Sequence, residues 1–129
     1  MPIVGTSSTI GFNALPLENL LKCHLDFRAG VDMKNYRKKA IATLQIENDR
    51  FIVTEWRFAP GAETGWHKHG YDYIVVPQTT GQLSIEFNDS SQIMSDLITG
   101  QSYNRLAGAE HNIINGNDFE FVFVEIELK

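Results

Sequence analysis

Three of the four histidines in the 129 residues fall at spacings that could hold one metal ion. His67 and His69 are separated by a single residue. A β-strand points alternate side chains to one face, so this pair would project the same way with imidazoles close enough to share a cation. His111 supplies a third nitrogen from a later segment that also carries Gly100, Gly108 and Asn115. His24 falls outside the pattern and reads as an ordinary surface or core histidine. All-nitrogen ligation suits a divalent transition metal; iron(II) is the first expectation for an active enzyme, with nickel, zinc, manganese or copper as alternatives. Three neutral imidazoles leave the ion its full charge and open octahedral positions for a bidentate substrate, water or dioxygen.

What completes the coordination depends on how the chain runs after His69. In an uninterrupted strand the odd positions share a face, so Tyr73 points at the ion and Asp72 away from it. A bulge at Gly70 would reverse the two and bring a carboxylate inward. The uninterrupted reading is the expectation, and it makes Tyr73 the candidate catalytic residue, as ligand, acid, base or hydrogen-bond donor to a substrate. A phenol beside a dication can lose its proton well below its usual pKa of about 10. The same alternation turns Glu110 outward, leaves Glu63 in the loop before the histidines, and places Trp56 and Phe58 of the preceding strand at the pocket floor.

The elements that must position these groups are short and extended. From residue 41 the sequence reads as strand-like runs cut by turn residues: Ile41 to Glu47, Arg50 to Phe58, Tyr71 to Val76, Gln82 to Asn88, Gln92 to Ile98, Gln101 to Arg105, His111 to Asn115 and Phe119 to Leu128. Asn48-Asp49 has the chemistry of a tight hairpin. Many short strands at near-even spacing, with no convincing helical period, predict an all-β sandwich or barrel. In Gln82 to Asn88, Leu83, Ile85 and Phe87 alternate with Ser84 and Glu86, one buried face and one wet. The last run differs: Phe119, Phe121 and Phe123 share one face and Val122, Val124, Ile126 and Leu128 the other, so both faces want cover. One side can line a barrel. The other needs a second sheet, the N-terminal forty residues folded back, or another subunit, and a homodimer packed through the outer sheet is the expectation.

Those N-terminal residues, 1–40, read as an irregular extension to a barrel domain at 41–129. Leu15-Pro16-Leu17-Glu18-Asn19-Leu20-Leu21 suggests one helical turn. Lys22, Arg28, Lys34, Arg37, Lys38 and Lys39 gather six of the eleven basic residues, a solvated face interrupted by Asp26 and Asp32.

The two histidine segments resemble the paired motifs of the cupins. Gly61, His67 and His69 keep the spacing of the first motif, with Gly81 one residue late. Gly100, Gly108, His111 and Asn115 keep that of the second. Tyr73 stands where that family carries a glutamate ligand, and Leu106 replaces a proline. The resemblance covers roughly residues 50 to 128 and implies a double-stranded β-helix, or jelly-roll barrel. It further implies a metal on His67, His69 and His111, a small-molecule substrate in the barrel, and a dimer. Function by resemblance is that of a metal-dependent dioxygenase, lyase or isomerase acting on a small polar organic acid or thiol. A non-catalytic binding or regulatory cupin is the alternative. The run Trp66 to Pro77 and the ending Phe119 to Lys129 are similar to short cupins assigned to β-alanine degradation.

Composition narrows the partners. One domain is expected at this length, with roughly two-thirds of the unfolded surface buried. A net charge of −5 repels phosphate backbones and anionic lipid, so neither nucleic acid nor a membrane is an expected partner. The single cysteine, Cys23, forms no intrachain disulfide, and the sequence shows neither a signal-peptide pattern nor a span-length apolar run, so a cytoplasmic location is expected.

Overall fold

Turn chemistry and alternation build the barrel from its first hairpin. Asn48 accepts the backbone N–H groups of Arg50 and Phe51 through its side-chain oxygen (2.8 and 3.0 Å), which turns strand β1 (Ile41–Glu47) into β2 (Phe51–Phe58). The structure, a computed structural model, describes residues 36–129. The expected helical turn at 15–21, Cys23, His24 and the basic residues up to Lys34 lie outside the described residues. Seven further strands follow: β3 (His67–Lys68), β4 (Asp72–Pro77), β5 (Gly81–Phe87), β6 (Gln92–Leu97), β7 (Tyr103–Arg105), β8 (Glu110–Asn115) and β9 (Phe121–Leu128). Among the described residues there is no helix, and hence none long and apolar enough to cross a membrane.

The strands form two antiparallel sheets, one in the order β1-β2-β9-β4-β7 and one in the order β3-β8-β5-β6. This is the expected all-β jelly-roll barrel. Register fixes which side chains meet inside. Phe123 lies opposite Trp56 and Pro77, and Glu125 opposite Thr54 and Val75. Phe58, Phe121 and Phe123 fill the closed end with Val75, Leu83, Leu97 and Ile113. Phe58 is therefore core, 5.6 Å from Phe123 between ring centroids, and not pocket floor.

Two strands depart from the sequence reading. The last begins at Phe121, and Phe119 stays in the exposed turn before it. The histidine segment is not one strand running into Tyr73: β3 belongs to the smaller sheet and β4 to the larger, and the chain crosses between them at 69–71.

Asn115 clips the closed end. Fully buried, its amide donates to the carbonyls of Phe58, Ala59 and Phe119, and its oxygen accepts from the backbone and side chain of Asn117. Burying an amide is favourable only when its polar atoms are satisfied, as they are here.

Candidate metal centre

His67 and His111 face each other because β3 pairs with β8 in that register. His69 lies one residue beyond β3 and is held by backbone bonds on both sides, its N–H to Ala109 and its carbonyl to the N–H of Gly108, each 2.8 Å. Gly108 makes this turn at φ +99°, a conformation that ordinary side chains rarely adopt, so the turn survives with Leu106 in place of proline.

The three rings converge through their Nε2 atoms. His69 Nε2 lies 3.1 Å from that of His67 and 3.0 Å from that of His111. Nitrogens each about 2.1 Å from one ion stand about 3.0 Å apart at a right angle and about 3.4 Å apart at a tetrahedral angle, so these separations fit adjacent octahedral positions. The donor set therefore fits a transition metal.

Orientation comes from the loop before β3. His67 Nδ1 lies 2.8 Å from the Gly65 carbonyl, which can only accept, so the proton sits on Nδ1 and the Nε2 lone pair faces the other rings. Gly65 is fixed in turn, its N–H donating to Asn112 Oδ1 at 2.9 Å. The Asn112 amide donates to Glu63 (2.9 Å) and Glu86 (3.2 Å). Such outer partners set ring orientation and ligand basicity in metal sites. Glu63 thus faces away from the cavity, toward Arg37 and Lys39. Glu110 is likewise exposed and accepts from Asn88.

Burial, reinforced by the charge a neighbouring ring would carry, holds His69 and His111 down at about 4. Both are neutral at physiological pH, the form that binds metal.

Tyr73 is buried and turned inward, its ring stacked on His69 at 3.9 Å with 21° between planes. Burial, and then the neighbouring carboxylate of Glu125, push its phenol above the ordinary value, so in the metal-free protein it keeps its proton. Asp72 is exposed and accepts the N–H of Ala107 at 2.8 Å. Inward placement of Tyr73 thus holds even though the chain changes sheets at Gly70.

Glu125 is the group that the sequence reading missed. It is 8% exposed, 3.4 Å from the Trp56 indole nitrogen, and with Glu127 has a carboxylate oxygen within 4.8 Å of a His69 nitrogen. Burial and then the charge of Glu127 push it up to about 7. The signal was present in β9, where Glu125 and Glu127 continue the inward face begun by Phe121 and Phe123.

His67, His69, His111, Tyr73 and Glu125 line a cavity of about 130 Å³ together with Trp56, Thr64, Tyr103 and Arg105 and the apolar Leu83, Ile85, Leu97 and Ile113. A shallower groove on the β1–β2 side meets it at His67, His69 and Glu125.

No family model matches the chain. It is 54% identical over 93 residues to the β-alanine degradation protein BauB of Pseudomonas aeruginosa, an alignment that covers 72% of this chain and 97% of that one. Among solved structures it is similar to a cupin domain from Bordetella pertussis Tohama I. That match has 57% identity and a TM-score of 0.71, and covers 73% of this chain and 97% of the other. A single-substitution variant of oxalate decarboxylase from B. subtilis shares the fold at 15% identity and a TM-score of 0.57, over 73% of this chain and 26% of that one. With a relative of this identity covered almost end to end, and a fold and paired motifs to match, the chain belongs to the small cupins.

Proposed function

We propose that His67, His69 and His111 hold one divalent transition metal, iron(II) first, and that the protein is a metal-dependent dioxygenase, lyase or isomerase acting on a small polar organic acid or thiol. The observation that carries this reading is the convergence of three Nε2 atoms, with successive separations of 3.1 and 3.0 Å, at the wall of a cavity that also holds a buried carboxyl and a phenol. When bound, the metal would supply Lewis-acid activation of a substrate oxygen or sulfur.

The chain's own residues do the remaining work. The Gly65 carbonyl keeps the Nε2 lone pair of His67 directed at the site. Leu83, Ile85, Leu97 and Ile113 give the cavity apolar walls, against which a polar contact is stronger than in water. Glu125, whose carboxyl burial pushes up to about 7 in the metal-free protein, lies beside His69 in position to carry a proton to or from a substrate. The Tyr73 phenol, which keeps its proton in the metal-free protein, stands beside His69 where it can donate a hydrogen bond to a substrate or, with a dication bound, give up that proton. A relative named for β-alanine degradation is consistent with a small polar acid as substrate. The single cysteine suits a reducing compartment such as the cytoplasm.

Elemental analysis of protein purified without added metal tests the site. About one transition-metal ion per chain is expected, and loss of it in His67→Ala, His69→Ala and His111→Ala. Metal-free wild type, or variants that keep their metal, would sink the reading. Oxygen uptake or product formation across a panel of small thiols, hydroxy acids and amino acids then separates turnover from binding alone.

A further inference from the structure

We propose that Arg105 is the anion anchor of the cavity, gripping the carboxylate of a small monocarboxylic substrate whose other end reaches the three histidines. The inference deepens the functional reading above and rests on the cavity being a substrate site, though not on the metal.

Arg105 stands opposite Tyr73 in the β4–β7 pairing, as Tyr103 stands opposite Val75, so both β7 residues face the cavity. The guanidinium lies over the Tyr103 ring, 4.6 Å from its centroid, and one N–H donates to the Asn104 carbonyl at 2.9 Å. These two contacts hold the plane of the fork and leave its other donors unused. Arg37 and Arg57 each pair with two carboxylates, whereas Arg105 has no acidic partner within 4.0 Å among the described residues. Its charge is nonetheless felt at His111, Tyr73 and Tyr103, in each case as a lesser effect than burial.

An oriented guanidinium at the mouth of a largely apolar cavity matches the planar, two-oxygen geometry of a carboxylate. Among the described residues it is the one arginine that lines the cavity, and Lys68 lines the adjoining groove instead. A dianion such as phosphate would be left half-neutralised, so a singly charged acid is the better match. The cavity volume of about 130 Å³ is close to that of protein cavities that take up one benzene-sized molecule, so a small acid fits between Arg105 and the histidines.

Calorimetric titration of the full chain with propionate and with propionamide, its uncharged counterpart of the same shape, tests the assignment. Both are measured on metal-loaded and chelator-treated protein. The expected result is saturable propionate binding in both preparations, at least tenfold weaker for propionamide. Arg105→Gln should lose at least tenfold for propionate with propionamide unchanged, and Arg105→Lys should fall between. Equal binding of acid and amide by wild type, no propionate binding, or propionate binding that survives Arg105→Gln would each overturn it. The wild-type comparison stands even if a variant fails to fold. Propionate dependence on Arg105 in protein that never takes up metal would defeat the metal reading and leave this one intact.

Discussion

Glu125 and the histidines beside it respond to pH in opposite directions, and the signs make a test. Glu125 ionises at about 7 in the fold against an ordinary 4.5, because burial penalises its charged form. Below about pH 4.5 the carboxyl is protonated, folded or unfolded, and costs nothing. As pH rises from there to about 7, only the unfolded chain gains by ionising, so stability is lost. His69 and His111 do the reverse. Their folded values lie at about 4 against an ordinary 6.5, so stability is lost as pH falls from about 6.5 to about 4. Glu125→Gln should therefore raise the urea midpoint of chelator-treated protein at pH 8 and change it little at pH 4.5. An equal gain at both pH values would show that the carboxyl is not held protonated by burial. These residues were not equally legible in the sequence. The histidines were, since alternation along a strand is a fixed property of the backbone. Tyr73 was also legible, because its inward face outlasts the change of sheet. Glu125 was not: the Phe and Val repeats of β9 read as two apolar faces, and the two glutamates that continue the Phe face were passed over.

At the scale of elements, the site depends on a segment that is barely a strand. Residues 61–68 run beside β8 from Gly61, bonded to Asn115, through Thr64, bonded to Ile113, to the two-residue β3. The ladder is interrupted at 65–66, and there Asn112 substitutes for it, taking the Gly65 N–H on its oxygen and giving its amide hydrogens to Glu63 and Glu86. Removing that side chain releases the Gly65 N–H and leaves the residue whose carbonyl orients His67 held by the Thr64 hydroxyl alone. Asn112→Ala should weaken metal binding about tenfold or more, the usual scale for outer partners of metal ligands. Competition with a chromogenic chelator measures this, and unchanged affinity would mean that β3–β8 pairing alone orients the ring. The hairpin at Asn48 and the strands β1, β2, β5 and β6 were readable to within a residue from turn residues and alternation. The crossing of 69–71 between sheets was not, because sheet membership depends on partners far away in sequence. The same holds for Asn115, whose motif position was plain but whose hydrogen bonds reach segments far from it in sequence.

The whole molecule presents one face with an apolar centre, edged on β2 by Glu55 and Arg57. On the outside of the larger sheet, Val53, Ile74, Val76, Val124 and Ile126 stand side by side across β2, β9 and β4, with Leu128 and Ile46 44% and 50% exposed at its margins. Contiguous apolar patches of this kind mark interfaces. Two occupants compete, residues 1–35 of the same chain and a second copy. The described chain begins on the other side of the barrel: Ala40 donates to the Glu63 carbonyl, Lys39 bridges Glu63, and Arg37 pairs with Glu63 and Glu86 on the smaller sheet. A second copy meets the apolar face directly through a two-fold axis, the commonest solution for homo-oligomers. We therefore propose a dimer closed through this face. Sedimentation equilibrium should give twice the 14.6 kDa of one chain for wild type. Ile126→Glu, which places a charge between Val53 and Ile74 at the centre of the face and leaves the inward side of β9 unchanged, should give monomer that still binds metal. A monomeric wild type, or a dimer that survives the substitution, would assign the cover to the N-terminal segment or move the interface elsewhere. The outward side chains of β9 decide between them, because the inward ones are already committed to the cavity.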